Sequence, residues 1–302
     1  MPSMTNTRTI AIAALLLSPV FIQPAGAQIF KWTRDEMIRY TPNNPFDRFP
    51  DGRPKVPDPI LEKVKGLSAE EVWGIERRGY PCQYTDDWQI LHPEKRLVGR
   101  AFTLVLMPIR RDAAIVDNTG SLPPGEGQPG TRLTHQSALD MLQPGDVIVI
   151  DAHGISGGII GDNLATYIWN RTKTGFVIDG EIRDLDGIRE IPEGGYYRKS
   201  VPPALTNYMV AGINVPVQIG KVTVMPGDVV FGDSEGIYFI PPQIVKQVVD
   251  AADTIHIHDE WTKKKFDENK YKSTDVYPAP RPADLKKEYQ EYLKQKLGQQ
   301  EK

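Results

Sequence analysis

The chain has 302 residues, of which 40% are hydrophobic and 25% are charged, and these proportions are ordinary for a globular protein. The formal net charge is -3 and the lysine and arginine residues are scattered, so no basic stripe could neutralise a phosphate backbone. We therefore expect no nucleic-acid partner. The single cysteine, Cys82, can form no internal disulfide, so stability must come from a hydrophobic core.

The first residues have the pattern of a cleavable signal peptide. Arg8 precedes an apolar run from Ile10 to Ile22, and the small residues Ala25, Gly26 and Ala27 follow it. The run is shorter than the roughly 20 apolar residues that a transmembrane helix needs. We expect a signal peptide over residues 1–27 and a mature protein that is periplasmic or secreted, with no membrane association after cleavage.

Residues 28–60 are predicted to be a proline-rich arm, because proline removes backbone donors and resists both helix and sheet. The arm carries six prolines between Thr41 and Pro59: Pro42, Pro45, Pro50, Pro54, Pro57 and Pro59. The main domain is predicted over residues 61–252 and begins with a helix whose start is marked by the capping-box pair Ser68 and Glu71. Residues 253–302 are predicted to form a helical extension with an apolar stripe, which usually means packing on the domain or on a neighbouring subunit.

Strands and helices alternate through the main domain. Gly99 to Pro108 is a β-rich apolar run, and two Pro-Gly-Asp-Val turns, at Pro144 and Pro226, each lead into a buried strand. A helix is predicted from Asn163 to Lys173 and a strand from Gly175 to Ile178. This order indicates an α/β fold, and hairpin-like strands near the second turn indicate a mixed sheet.

A glycine-rich loop separates a buried strand from the helix that follows it. Its glycines are Gly154, Gly157, Gly158 and Gly161, and they let backbone amides approach a ligand closely. Asp162 begins the helix, whose N-terminus is a site for an anion such as a carboxylate. The glycine spacing matches neither the dinucleotide fingerprint nor the phosphate loop, so nucleotide binding is disfavoured.

Arg183 and Asp184 follow the next strand. The carboxyl ends of neighbouring strands meet at one sheet edge, so we expect this pair to lie beside the Gly161 loop. Arginine offers a planar fork for a carboxylate or an enolate, and aspartate is a hard oxygen ligand for Mg²⁺ or Mn²⁺. The alternative from composition alone is a helix-capping Asp162 and a solvated Arg–Asp pair.

Several segments together resemble the RraA-like family, which includes the 4-hydroxy-4-methyl-2-oxoglutarate aldolases and the regulator of ribonuclease activity A. They are GRAFTL at Gly99, PGDVIVID at Pro144, GDNLAT at Gly161, GFVIDGEIRD at Gly175 and VTVMPGDVVFGDSEGIYFIP at Val222. The resemblance implies a swivelling β/β/α domain that assembles as a homotrimer or hexamer, with the site at the subunit boundary.

The resemblance also implies roles for individual residues. The substrate loop would be Gly161, Asp162, Asn163 and Leu164. Arg183 would bind substrate and Asp184 would ligate the divalent metal, Mg²⁺ or Mn²⁺, with Asp162 and Arg183 as the catalytic residues. Glu260 is the candidate for an outer-shell glutamate supplied by a neighbouring subunit. His153 departs from the family pattern, because it stands where another glycine is expected.

The implied activity is metal-dependent retro-aldol cleavage of 4-hydroxy-2-oxo acids with release of pyruvate, together with decarboxylation of oxaloacetate. The alternative is a non-catalytic exported binding or assembly protein on the same fold. Lys173 and Lys199 lack the apolar setting that a Schiff-base lysine needs. His92, His135, His256 and His258 are expected to be ordinary surface histidines, whereas His153 lies near enough to the glycine loop to be considered for ligand contact.

Overall fold

The computed structural model describes residues 31–76, 79–109 and 135–300. The predicted signal peptide lies outside these ranges. No helix within them combines the length and the apolar character needed to cross a membrane. The described helices and strands follow the α/β order predicted above.

Nine helices and eleven strands are formed by the described residues. The helices are α1 (Arg34–Tyr40), α2 (Asp58–Lys65), α3 (Ala69–Glu76), α4 (His135–Leu139), α5 (Asp162–Thr172), α6 (Leu185–Arg189), α7 (Pro242–Asp267), α8 (Ser273–Val276) and α9 (Ala283–Gln300). The strands are β1 (Tyr84–Thr85), β2 (Gln89–Ile90), β3 (Leu97–Pro108), β4 (Asp146–Asp151), β5 (Gly175–Ile182), β6 (Gly194–Ser200), β7 (Tyr208–Ile213), β8 (Val217–Ile219), β9 (Val222–Val224), β10 (Val229–Gly232) and β11 (Ile237–Ile240).

The main sheet is mixed, as predicted. Its centre is the parallel run β3-β4-β5-β6, and the strands β1, β11 and β10 extend it in antiparallel fashion beyond β3. The far half of the long strand β3 pairs with β7, and β8 and β9 form a separate hairpin. Because β4, β5 and β6 are parallel, their carboxyl ends meet at one edge, where α/β proteins bind ligands.

Alternate residues of the central strands enter two hydrophobic clusters, as the period of a pleated strand requires. On one face, Ile148, Ile150 and Phe176 pack with Ile168 of α5. On the other face, residues such as Val147 pack against the hairpin β8–β9. This packing fixes α5 across the sheet and brings its first turn to the edge where β4 and β5 end.

The N-terminal arm is more structured than its prolines suggested. It contains α1 and the start of α2, and it enters the interior through Arg53, which is 1% exposed. Arg53 donates two hydrogen bonds to Asp146 at 2.8 and 2.9 Å, in the first Pro-Gly-Asp turn. Removing one partner of a buried ion pair is strongly destabilising. This pair therefore fixes the arm to the domain, and the arm is part of the folded unit.

The C-terminal helices pack on their own chain. Helix α7 runs continuously through Ala252, where the domain boundary was placed. Trp261 of α7 forms a cluster with Val276, Leu285 and Tyr289, so much of the predicted apolar stripe of α9 is covered within the chain.

Candidate active site

The glycine loop lies along the carboxyl end of β5 as a short strand-like addition. Ile159 N–H donates to the Glu181 carbonyl at 2.8 Å, and Arg183 N–H donates to the Ile160 carbonyl at 2.9 Å. A Cβ on Gly158 would stand 2.6 Å from the Cβ of Arg183, so only glycine allows this approach. The loop thus fixes the base of the Arg183 side chain.

Gly161 and Asp184 meet at the centre of the site. A Cβ on Gly161 would clash with the Asp184 carboxylate oxygen Oδ2 and would lie 3.2 Å from Arg183 Nε. Asp184 has a left-handed backbone conformation, φ 54° and ψ 43°, at the start of α6. Aspartate tolerates this conformation better than most residues, yet strain at a non-glycine position is typical of functional sites. The local backbone therefore turns the carboxylate back towards the glycine loop.

Helix α5 starts beside this carboxylate, and its N-cap, Gly161, has no side chain to cap the first amides. Asp162 Oδ1 accepts a hydrogen bond from Asn163 N–H at 2.8 Å, and Asp162 also lies against Gly187 of α6, where an added Cβ would be 2.9 Å from its own Cβ. Asp162 thus lies where the first turns of α5 and α6 meet. The remaining orphan amides of the Gly161–Leu164 turn are suited to a substrate carboxylate.

Arg183 and Asp184 form a loose, solvated pair. Arg183 Nη1 lies 3.4 Å from Asp184 Oδ2, and the two side chains are 39% and 38% exposed. Such a pair contributes little to stability, so both groups remain available to a ligand. The predicted convergence of Gly161, Asp162, Arg183 and Asp184 is present in the structure.

The residues fit one mode of binding a divalent metal. Among the described residues, no three histidine, cysteine or acidic side chains form a metal-binding group. Mg²⁺ commonly binds through one or two carboxylates and keeps several waters, and the accessible Asp184 carboxylate offers that hard oxygen. Asp184 would be the direct ligand, and the substrate and water would supply the others.

Comparison with known proteins identifies the family. The sequence model of the RraA-like family, described as Aldolase/RraA, matches residues 75–239, which is more than half of the chain. The chain belongs to the RraA-like family.

Two relatives show the extent of the similarity. A Halalkalibacterium halodurans protein provisionally named 4-hydroxy-4-methyl-2-oxoglutarate aldolase is 32% identical over 141 residues, covering 46% of this chain and 67% of that protein. The 4-hydroxy-4-methyl-2-oxoglutarate aldolase of Thermus thermophilus is 29% identical over 158 residues, covering 52% of this chain and 92% of that enzyme.

Solved structures agree on the fold. The crystal structure of Streptomyces coelicolor RraAS2, described as an unusual member of the RNase ES inhibitor RraA protein family, has a TM-score of 0.57 and 25% identity, covering 73% of this chain and 98% of that one. An uncharacterised protein from Pseudomonas syringae has a TM-score of 0.61 at 19% identity, covering 77% of this chain and 96% of that one. The α/β architecture with its mixed sheet is therefore the RraA fold.

Glu181 is a site residue of this RraA-like chain to which the sequence reasoning gave no role. Its Oε2 accepts a hydrogen bond from Gly157 N–H at 2.7 Å, and Gly157 has a φ of +100°. On the other side, Gly158 N–H donates to the Pro203 carbonyl at 2.8 Å. The glycine loop is thus held between β5 and the segment before β7. The position of Glu181 two residues before Arg183, at the carboxyl end of β5, is the signal that could have indicated it.

His135 was wrongly expected at the surface. It is 6% exposed, and its Nδ1 lies 2.9 Å from the Tyr208 hydroxyl. Burial lowers the pKa of His135 to about 4, although the nearby Ile159 carbonyl opposes the shift. The imidazole is therefore neutral near pH 7 and packs behind the glycine loop. No local sequence pattern marks this position, because its environment is made by residues distant along the chain.

His258 and His92 are partly buried, with side chains that are 17% and 16% exposed. His258 packs edge-on against Tyr289 with ring centroids 5.3 Å apart. His256 fits the surface expectation: its side chain is 56% exposed, and its Nδ1 lies 3.0 Å from Glu71 Oε1.

His153 joins a polar network beside the loop. Its Nδ1 lies 2.7 Å from Asp151 Oδ1 and its Nε2 lies 3.3 Å from Asp179 Oδ2. Asp179 also accepts a hydrogen bond from Arg198 Nε at 2.7 Å. These two carboxylates engage both ring nitrogens of His153. Contact of His153 with a ligand stays a prediction.

The two lysines considered as Schiff-base candidates lie in polar surroundings. The Lys199 side chain is 68% exposed and its Nζ lies 3.9 Å from Glu181 Oε1. Lys173 ends α5 and its Nζ lies 3.4 Å from Asn170 Oδ1. A Schiff-base lysine is usually desolvated in an apolar pocket, whereas both of these side chains are exposed.

Glu260 lies on α7 between two lysines of its own chain. Its carboxylate is 2.8 Å from Lys264 Nζ and 2.9 Å from Lys296 Nζ. Hydrogen bonds from Lys264, Lys296 and Tyr292 lower the pKa of Glu260 to about 2. Its assignment as an outer-shell partner in the site of a neighbouring subunit stays a prediction. To reach that site, Glu260 would have to give up its ion pairs with the two lysines.

Proposed function

We propose that the protein is a divalent-metal-dependent carbon–carbon lyase that cleaves 4-hydroxy-2-oxo acids of the 4-hydroxy-4-methyl-2-oxoglutarate type and releases pyruvate. The observation that carries the proposal is the convergence of Gly161, Arg183 and Asp184 at the start of α5. The names of the Thermus thermophilus and Halalkalibacterium halodurans relatives support the same reaction class.

Arg183 has the central role in binding the substrate. Its planar guanidinium can donate two hydrogen bonds to the carboxylate and keto oxygens of a 2-oxo acid. Its base is held by the close approach of Gly158, so the fork is positioned before the substrate arrives. Amides of the Gly161–Leu164 turn would bind the second carboxylate of a dicarboxylic substrate.

Cleavage begins when a base removes the proton of the 4-hydroxyl group. The C4 oxygen then forms a carbonyl, the C3–C4 bond breaks, and its electron pair passes to C3 to give the enolate of pyruvate. Protonation of C3 completes the reaction. Arg183 would stabilise the negative charge of the enolate, and a water held by Asp162 would accept the hydroxyl proton. Loss of CO₂ from oxaloacetate leaves the same enolate, so that decarboxylation belongs to the proposal.

A bound Mg²⁺ or Mn²⁺ would act as a Lewis acid towards the 2-oxo acid. Asp184 would hold it, which accounts for the strained backbone that turns this carboxylate towards Gly161. The proposal includes export to the periplasm or beyond, and assembly as a homotrimer or hexamer in which Glu260 of one subunit approaches the site of another.

Pyruvate release from a panel of 4-hydroxy-2-oxo acids and from oxaloacetate tests this function. We expect turnover with added Mg²⁺ or Mn²⁺, and no protein labelling when substrate and borohydride are added together. Borohydride inactivation that maps to Lys173 or Lys199 would move the chemistry to a Schiff base. Absence of turnover across the panel, with substrate still bound, would favour the non-catalytic binding protein.

A further inference from the structure

A second cavity lies away from the glycine loop, between the N-terminal arm and the start of α7. Its volume is about 230 Å³, and it shares no lining residue with the candidate active site. The arm contributes its wall from Tyr40 to Asn44, and α7 contributes Pro242 and Gln243. Tyr80 is fixed in the wall by a hydrogen bond from Gln243 Nε2 to its hydroxyl at 2.7 Å.

Asp228 is the charged residue among the described residues that line this cavity, and it is 3% exposed. Its Oδ2 accepts a hydrogen bond from Met225 N–H at 2.8 Å. Within the described residues no lysine, arginine or histidine pairs with this carboxylate. Glu76 lies near it, and both oxygens of that 1% exposed side chain also lack a partner there. An uncompensated buried carboxylate is costly, so Asp228 calls for an explanation.

The first Pro-Gly-Asp turn shows what is missing from the second. Asp146 accepts a hydrogen bond from Gln143 N–H at 2.9 Å, just as Asp228 does from Met225. The glycines of the two turns have matching φ angles of +80° and +89°. Asp146 is neutralised by the guanidinium of Arg53, whereas Asp228 lines the cavity and has no cationic partner in the described part of the chain.

We propose that this cavity binds a small organic cation carrying N–H groups, with its ammonium group on Asp228 as the guanidinium of Arg53 is on Asp146. Tyr40 and Tyr80 add aromatic surface to the cavity wall, and the Tyr40 ring already stacks on Trp32 and lies 5.6 Å from the guanidinium of Arg39. An ammonium group donates up to three hydrogen bonds. Its dehydration costs less free energy than that of a divalent metal ion.

A metal ion fits the cavity less well. Mg²⁺ and Ca²⁺ need six or more oxygen ligands, and one carboxylate among tyrosines and prolines cannot replace a hydration shell. The cavity volume instead admits an ammonium group with a short carbon chain.

The proposal predicts a pH dependence for binding. Burial raises the pKa of Asp228 to about 7, and the hydrogen bond from Met225 opposes the shift. Burial, with the charge of Asp228 adding to it, raises the pKa of Glu76 to about 9, so Glu76 is neutral near pH 7 and does not supply a second charge. A cation should bind ionised Asp228, so its affinity should fall about tenfold per pH unit below this pKa.

The test is calorimetric titration of the purified protein with methylammonium and with tetramethylammonium, which has no N–H group. We expect saturable binding of methylammonium at pH 8, weaker binding at pH 6, and none for tetramethylammonium. Asp228→Asn keeps an acceptor for Met225 N–H and should remove binding, while Asp250→Asn on the exposed face of α7 should not.

Three outcomes would overturn the proposal. They are the absence of methylammonium binding at pH 8, equal binding of the two cations, and unchanged binding in Asp228→Asn. Pyruvate release by Asp228→Asn should match the parent, so failure of the cation site and failure of the proposed lyase activity are distinguishable.

Discussion

The contact between Gly161 and Asp184 allows a sharp perturbation, Gly161→Ala. Gly161 has φ -123° and ψ -172°, an extended conformation that alanine adopts without strain. The added methyl group would nevertheless clash with Asp184 Oδ2 and contact Arg183 Nε at 3.2 Å. The substitution therefore acts on the two functional side chains rather than on the backbone.

Gly161→Ala should have a large effect on activity and a small effect on stability. Restoring ordinary van der Waals contact requires Asp184 Oδ2 to move by roughly 1 Å, and a misplacement of that size costs about a hundredfold in rate. Replacing glycine by alanine at an N-cap costs about 1 kcal/mol or less, and the stiffer unfolded chain offsets about 0.4–1 kcal/mol. The Tm should therefore stay within about 4 °C of the parent.

The assay is pyruvate release with saturating Mg²⁺, measured alongside thermal melts. Gly298→Ala is the matched control, because no atom lies within 4 Å of its added Cβ on α9. It should keep parental activity and melt at or slightly above the parent. Parental kcat/KM in Gly161→Ala would refute the role given to this contact. A drop in Tm large enough for unfolding to account for the lost activity would refute it as well.

Two further changes test the surroundings of the site and the core. Glu181→Ala removes the acceptor of Gly157 N–H and should lower kcat/KM about tenfold by loosening the glycine loop. Glu181→Gln keeps an acceptor, so its kcat/KM should stay near that of the parent. Equal losses in the two variants would contradict a positioning role for Glu181. Burial raises the pKa of Glu193 from 4.5 to about 9, so its neutral form stabilises the fold below pH 4.5 and that contribution is lost as pH rises towards 9. Glu193→Gln should therefore gain stability over the parent across this window, by at most about 1.4 kcal/mol per pH unit. Melts from pH 5 to 8, with the exposed Glu190→Gln as control, check this, and parallel curves would contradict it.

Local patterns in the sequence predicted the parts of the fold that depend on local physics. The capping box at Ser68 and Glu71 is present, with Ser68 N–H donating to Glu71 Oε2 at 2.6 Å. Helix α5 begins and ends within one residue of its predicted bounds. The meeting of Gly161 with Asp184 followed from the rule that parallel strands end at one sheet edge.

Contacts between distant residues were the part that the sequence could not indicate. Arg53 lies in a proline-rich arm that reads as exposed, and its burial depends on Asp146, 93 residues later. His135 is buried by Tyr208, 73 residues later. Periodicity within a segment carries no information on such pairs, because each is set by the way that whole elements pack.

We propose that Asp184 holds a divalent metal and that Arg183 binds the 4-hydroxy-2-oxo acid that is cleaved. Pyruvate release from 4-hydroxy-4-methyl-2-oxoglutarate, measured for the parent, Asp184→Asn and Arg183→Lys with and without a chelator, tests it most directly. We expect the chelator to abolish parental turnover and Mg²⁺ or Mn²⁺ to restore it. Each variant should lose about a hundredfold or more in rate despite a near-parental Tm. Chelator-resistant turnover, or parental rates in Asp184→Asn, would contradict it.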